Sequence, residues 1–232
     1  MDVTYFRPTR PGPELCMETL VAGQIDTLFP DSKYPNWTAG YVPIGAGMPD
    51  LVVVSSNPEV TKLTAFEKPN AHILAYLRAV QRARLTTIAE RLNCSLPRVA
   101  ACLEGLVKAS VVEQEKAFFR LTLPWRNILD EIVTIEVKVN NWRKAVEQAS
   151  RNGIFAHRSY IALPQKVVVR IKDEPILRKQ SIGILAVEDS GTVIMYRKAP
   201  RRRPKVWAYY YELASIAARH LGIHEHAISR AH

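Results

Sequence analysis

Ile132-Val133-Thr134-Ile135-Glu136-Val137-Lys138-Val139 is the stretch that decides the fold. Its β-branched residues and strict alternation predict a strand with two unlike faces. Val133, Ile135, Val137 and Val139 share one face, and Thr134, Glu136 and Lys138 share the other. A carboxylate and an ammonium two residues apart on an otherwise apolar strand are costly to desolvate. A structural ion pair is the plain explanation; a site that exploits both charges is the other.

A second stretch favours the site. Met48-Pro49-Asp50-Leu51-Val52-Val53-Val54 sets an Asp at the mouth of a short apolar run, just after Gly45-Ala46-Gly47. Trp37 to Ile44 reads as the preceding strand, so the two form a hairpin. If the Asp50 strand neighbours the Glu136 strand, two carboxylates stand side by side and repel. A divalent cation is the natural compensator. Oxygen ligands with one or two carboxylates and waters describe Mg²⁺, or Mn²⁺ in its place. Lys138 beside them can hold a water and offset charge on a phosphate.

Around these stretches the chain alternates helix and strand. Residues 1–12 read as an irregular arm. Glu14 to Phe29 carries Leu15, Val21, Ile25 and Leu28 at helical spacing and stops at Pro30. Asn141 caps a helix beginning Trp142-Arg143-Lys144. Tyr160 to Leu163 reads as a strand, and a helix containing Val167 to Ile171 follows. Ile184–Val187 and Thr192–Tyr196 form a hairpin, and a last helix runs from about Val206 to Leu221.

Residues 70–123 follow a different rhythm. Asn70 is a candidate cap for a helix with Ile73, Leu74, Leu77 and Val80. A short helix spans Ile88 to Leu92, a turn follows at Asn93-Cys94-Ser95, and a third helix starts at Pro97. Val111–Glu115 and Phe118–Leu123 then alternate as two small strands. The run LTTIAERLNCSLPRVAACLEGLVKASVV, residues 85–112, resembles the winged helix-turn-helix family.

GMPDLVVV and TIEVKV together resemble the PD-(D/E)xK nuclease superfamily, which includes type II restriction endonucleases and archaeal Holliday-junction resolvases. The resemblance implies an α/β, restriction-endonuclease-like mixed sheet flanked by helices, here interrupted by a winged-helix domain. It implies Asp50 and Glu136 as metal ligands with the Val137 carbonyl, and Lys138 as the catalytic lysine. Many members add an acidic residue from the first helix; Glu18 is the preferred candidate, with Glu14 one turn earlier. Gln148, on the helix after the second motif, is a further candidate. The departure is the spacing, because 86 positions separate Asp50 from Glu136, and the winged helix fills them. The expected domains are therefore 1–69 plus 124–205 as the core, 70–123 as the insertion and 206–232 as a C-terminal helix.

The net charge of +10 favours a polyanionic partner. Arg98, Lys108 and Arg84 are candidate nucleic-acid contacts on the winged helix. Arg201, Arg202 and Arg203 are candidates in a proline-broken basic cluster. Tyr209, Tyr210 and Tyr211 follow, with helix packing of one or two of them as the expected role and stacking on bases as the alternative. His220 and His224 lie one helical turn apart but lack a zinc pattern of partners. Cys16, Cys94 and Cys102 match no zinc spacing and read as buried, reduced thiols. No apolar run approaches the roughly 20 residues that span a bilayer, and the N-terminus lacks a signal-peptide core, so a cytoplasmic protein is expected. The function these residues imply is metal-dependent DNA hydrolysis, in restriction, repair or phage defence. The alternatives are a non-enzymatic DNA-binding regulator on a relic nuclease fold, or an RNA-directed nuclease. Cutting both strands of a duplex calls for a homodimer or sequential nicking.

Overall fold

In the computed structural model, which describes residues 3–45, 47–63 and 69–229 (the side chains of 69 and 222–229 excepted), the elements run in this chain order. They are β1 (Thr4–Tyr5), α1 (Pro13–Gly23), α2 (Ile25–Leu28), β2 (Asn36–Gly40), β3 (Leu51–Ser56), α3 (Pro69–Val80), β4 (Arg82–Arg84), α4 (Leu85–Leu92), α5 (Leu96–Lys108), β5 (Val112–Glu115), β6 (Phe118–Leu121), β7 (Leu129–Val137), α6 (Trp142–Asn152), β8 (Arg158–Pro164), α7 (Gln165–Ile171), α8 (Pro175–Lys179), β9 (Gly183–Val187), β10 (Val193–Arg197) and α9 (Trp207–Ser229). Two compact units divide the chain: residues 1–55 with 130–205, and residues 56–129 with 206–232. The last helix is thus grouped with the middle of the chain.

The first unit is built on a mixed sheet in the order β1-β2-β3-β7-β8-β9-β10. β7, β8 and β9 are parallel, and both β2–β3 and β9–β10 are antiparallel hairpins. The alternation along β7 sorts the layers. Val133, Ile135 and Val137 bury against Met17, Val21, Ile25 and Leu28 of α1 and α2. On the other face Ile161, Leu163, Ile184 and Ala186 pack against Ala145, Val146 and Ala149 of α6 and Val167, Val168 and Ile171 of α7. Helices therefore cover both faces, as a sheet with central parallel strands requires. Truncating a buried centre such as Ile161 to Ala would cost about 2–5 kcal/mol.

Two local details differ from the sequence expectations. The first helix is broken at Gln24, following Gly23, into α1 and α2. The Gln24 amide accepts from Val193 N at 3.0 Å and donates to Gly191 O at 2.9 Å, tying the break to the β9–β10 hairpin. The cysteines are free, as expected, but none is buried: Cys16 is exposed and the other two are half-buried. Cys16 lies on the outer side of α1, away from the Met17, Val21 and Ala22 face.

In the second unit α3, β4, α4, α5 and the β5–β6 hairpin follow in that order, with a small antiparallel sheet β4-β6-β5. Arg82-Ala83-Arg84, with one apolar residue, carries no strand signal, yet it forms β4. Its arginines both lie over the Phe118 ring, with 5.1 Å from guanidinium carbon to centroid. Asn70 lies inside α3 and does not cap it, since the helix already starts at Pro69. Asn93 ends α4 in the left-handed conformation at φ 50°, which Asn tolerates. Tyr210 and Tyr211 are fully buried. The Tyr210 hydroxyl donates to Leu129 O at 3.0 Å and accepts from Leu129 N at 2.7 Å, and Tyr211 donates to Trp125 O at 2.7 Å. These tyrosines pack the helix, as expected. Among the described residues no helix is long and apolar enough to cross a membrane.

Candidate active site

β3 and β7 are hydrogen-bonded neighbours, so the two charged stretches meet. Asp50 stands at the first residue before β3 and is buried. Its Oδ2 accepts from Val137 N at 2.8 Å and from Lys138 Nζ at 2.8 Å. Lys138 Nζ also donates to Val137 O at 2.7 Å and lies 3.7 Å from Glu14 Oε2. Burial works against the Lys138 ammonium, yet Asp50, through charge and hydrogen bond, and then Glu14 and Glu136 outweigh it and hold its pKa above the ordinary lysine value.

Glu136 is on the opposite face of β7 from the valines, and it is 1% exposed. Its Oε1 accepts from Asn152 Nδ2 at 2.6 Å, but its Oε2 is buried and accepts no hydrogen bond. Burial first, and then Asp50, through its charge and a hydrogen bond with the protonated carboxyl, push Glu136 up to about 8, against the pull of Asn152 and Lys138. Such a carboxyl has been taken out of water and not fully compensated.

The third acid comes from α1. Met17, Glu18, Val21 and Ala22 form its buried stripe, and the apolar three carry Glu18 inside with them. The Tyr41 hydroxyl donates to Glu18, with Oε2 at 2.8 Å and Oε1 at 2.9 Å. Burial lifts Glu18 to about 7 even though the Tyr41 hydrogen bond opposes it; Asp50 adds to the rise. Tyr41 itself sits at φ 55°, just past the end of β2. Burial and Glu18 drive its phenol well above the tyrosine range. Glu14, one turn earlier, is exposed.

The donor set suits a hard divalent cation. Asp50, the Val137 carbonyl and the unsatisfied Glu136 Oε2 are all oxygen, and the carboxylates raise one another's need for positive charge. Among the described residues no group of three or more His, Cys, Asp or Glu side chains forms a metal cage. A Mg²⁺ held here would complete its shell with water, which is the habit of that ion.

The remaining candidates are dispersed. Gln148 lies on α6 one turn before Asn152, on the same side of the helix, and its Oε1 is buried without a hydrogen bond. Arg201 and Arg202 are in the same unit but serve the other end of the sheet. Arg201 donates to Asp130 O, and Arg202 donates to Ser181 Oγ. Asp130 and Val137 are seven residues apart on β7, a separation of roughly 23 Å along a strand. Arg203 is exposed. Arg84, Arg98 and Lys108 are exposed on the second unit, Arg98 in the first turn of α5. The His224 side chain, and with it the zinc pairing to His220, lies outside the described residues.

Four residues at or near the site carry no signal in the sequence. Asn152 reads as an ordinary helix end before Gly153, yet it is buried and donates to Glu136. Tyr41 follows Gly40 with no motif around it. Arg7 and Arg10 belong to the arm, yet with Glu14, Glu18, Tyr41 and Asp50 they line a cleft of about 500 Å³. Against protein-family models, curated proteins and solved structures, the chain finds no match.

Proposed function

We propose that the protein is a metal-dependent nuclease that hydrolyses phosphodiester bonds in DNA. The observation that carries this reading is the meeting of Asp50, Glu136 and Lys138 at one end of neighbouring strands, with Glu136 Oε2 buried and unsatisfied. In this reading the first unit is a PD-(D/E)xK core, and the helices and hairpin between Pro69 and Leu121 are an inserted winged helix-turn-helix.

Asp50, Glu136 and the Val137 carbonyl would hold Mg²⁺ or Mn²⁺. When bound, the ion polarises the phosphoryl oxygen and lowers the pKa of a water. Lys138 has two tasks. Its ammonium, already anchored by Asp50 and Val137 O, orients the attacking water and offsets negative charge that builds on the phosphate. Glu18, with a pKa near 7 and a fixed hydrogen bond from Tyr41, is suited to accept a proton at neutral pH. Exposed Arg98, Arg84 and Lys108 would bring the second unit to DNA, with Arg98 at the end of a helix where base edges are met. Duplex cleavage would need a homodimer or two successive nicks.

The test is incubation with supercoiled plasmid and with single-stranded DNA in Mg²⁺, Mn²⁺ or EDTA. Cleavage with either metal and none in EDTA is expected. Binding without cleavage under every condition would leave a DNA-binding regulator instead.

A further inference from the structure

We propose that the arm between β1 and α1 is a phosphate clamp, in which Arg7 and Arg10 grip the backbone of the strand being cut. This rests on the nuclease reading above and adds substrate-gripping groups in the first unit, beside Asp50.

The arm is fixed at both ends. β1 pairs in parallel with β2 through Thr4↔Ala39 and Tyr5↔Gly40, and Phe6 N donates to Gly40 O at 3.0 Å. The Tyr5 ring covers Gly40 so closely that a Cβ there would lie 2.4 Å from it, which explains the glycine. Phe6 meets Trp37 edge-on at 6.4 Å, and Tyr5 packs on Tyr41 at 5.7 Å. Pro8 and Pro11 restrict the chain between these contacts and Pro13, where α1 begins. A tethered, proline-stiffened arm holds its side chains at low entropic cost.

Charge tells what the arm holds them for. Arg7 and Arg10 are exposed at the rim of the cleft, while Glu18 and Asp50 are buried in its wall. Were the arginines there to neutralise those carboxylates, they would pair with them. Lys138 does so for Asp50, at 2.8 Å. Among the described residues no ion pair engages Arg7 or Arg10. Two guanidinium forks without a salt-bridge partner are left on the lining of a cleft that also includes Asp50. Their geometry matches the paired oxygens of a phosphodiester. Three residues of extended chain span at most about 10 Å, so both forks reach the same short stretch of one strand. The ligand is therefore the sugar-phosphate backbone and not a base, and the contact is independent of sequence.

The test measures binding and cleavage separately on the full chain. Fluorescence anisotropy in EDTA follows a labelled duplex and a labelled single strand across a salt series, for the wild type, Arg7→Ala/Arg10→Ala and Arg7→Lys/Arg10→Lys. Thermal unfolding checks that each variant is folded. The double alanine variant is expected to bind at least about tenfold more weakly. Its salt slope on duplex should fall by about 1.8, at roughly 0.9 per lost phosphate contact. The lysine variant should regain the slope but not the full affinity, because an ammonium is no fork. A double alanine variant with wild-type affinity and slope removes the clamp, and if the wild type still cuts DNA the nuclease reading is untouched. Lost affinity with an unchanged slope also removes it, since the arginines would then act only through folding. If the wild type binds but never cuts, and the variant still loses slope, the clamp stands and the nuclease reading fails. If the wild type binds no nucleic acid, both fall.

Discussion

Both ends of β7 concentrate charge, and the two ends are finished differently. At the N-terminal end Glu131 accepts from Arg158 Nε at 2.7 Å, and Arg201 Nε lies 3.9 Å away. Arg158 also donates to Ala199 O, and Arg201 donates to Asp130 O. His157 is held neutral there; its Nδ1 accepts from Ile132 N at 3.0 Å, and burial, with Arg201 and Arg158 nearby, lowers its pKa to about 4. At the C-terminal end Lys138 satisfies Asp50, but Glu136 keeps a bare buried oxygen and a pKa near 8. A charged set that closes on itself is architecture. A set with a buried carboxylate oxygen left over is the feature on which the proposed cation site rests.

The largest effect should separate the two ends by chemistry. Lys138→Ala is expected to lower cleavage by roughly 10²–10⁴-fold while DNA affinity changes little, because one charge among many phosphate contacts matters little to binding. Glu131→Gln, at the closed end, should leave cleavage nearly unchanged and cost stability instead, about 1–3 kcal/mol. Cleavage assays beside thermal melts of the two variants decide it. Equal cleavage by wild type and Lys138→Ala would remove that lysine from the mechanism.

The next effects are opposite pH dependences. His157 has its folded pKa lowered from 6.5 to about 4, so its stabilising contribution is whole above pH 6.5. Below that the unfolded chain takes the proton that the folded one refuses. The loss should reach about 2–3 kcal/mol by pH 4, and His157→Asn should flatten it in denaturant melts. Glu136 and Glu18 have raised pKa values, about 8 and about 7. Between pH 4.5 and 8 the unfolded chain releases protons that these groups retain, so their contribution is lost as pH rises. Glu136→Gln should therefore stabilise the metal-free protein at pH 8, by about 1–2 kcal/mol, and give no gain below pH 4.5. Destabilisation at pH 8 would mean that Glu136 is satisfied after all.

The legible parts of the molecule were those in which one strand or helix carries its own pattern. The alternation of residues 132–139 separated the valines that bury under α1 from Glu136, and Asp50 ahead of an unbroken apolar run was readable as a strand mouth. Glu18 could be ranked above Glu14 because it shares a face with Val21. Asn152, Tyr41, Arg7 and Arg10 were not legible, because each acts on residues far away in sequence. Asn152 reaches Glu136 only once α6 has folded back on the sheet, and the arm meets Asp50 only because β1 joins β2. The break at Gln24 likewise depends on Val193 and Gly191, more than 160 positions later. Charge runs misled in a similar way. Arg201-Arg202-Arg203 reads as a uniform basic cluster, but two of the three guanidiniums have intramolecular partners.

That cluster gives the smallest predicted effect. Neutralising all three arginines should reduce the salt slope of duplex binding by only about 0.9, the share of one phosphate contact, assigned to Arg203. A loss near three times that would show that Arg201 and Arg202 leave their protein partners for DNA.

If Asp50 and Glu136 hold a divalent cation as proposed, calorimetric titration of Mg²⁺ at pH 7 detects it. The titration is run in two buffers of different ionisation enthalpy, so that protons are counted. With Glu136 near 8 the carboxyl is largely protonated at that pH. Metal ligation must expel the proton. The wild type should bind Mg²⁺ and release about one proton, and Glu136→Gln should bind far more weakly and release none. No binding by the wild type, or the same affinity and proton count in the variant, would contradict the account.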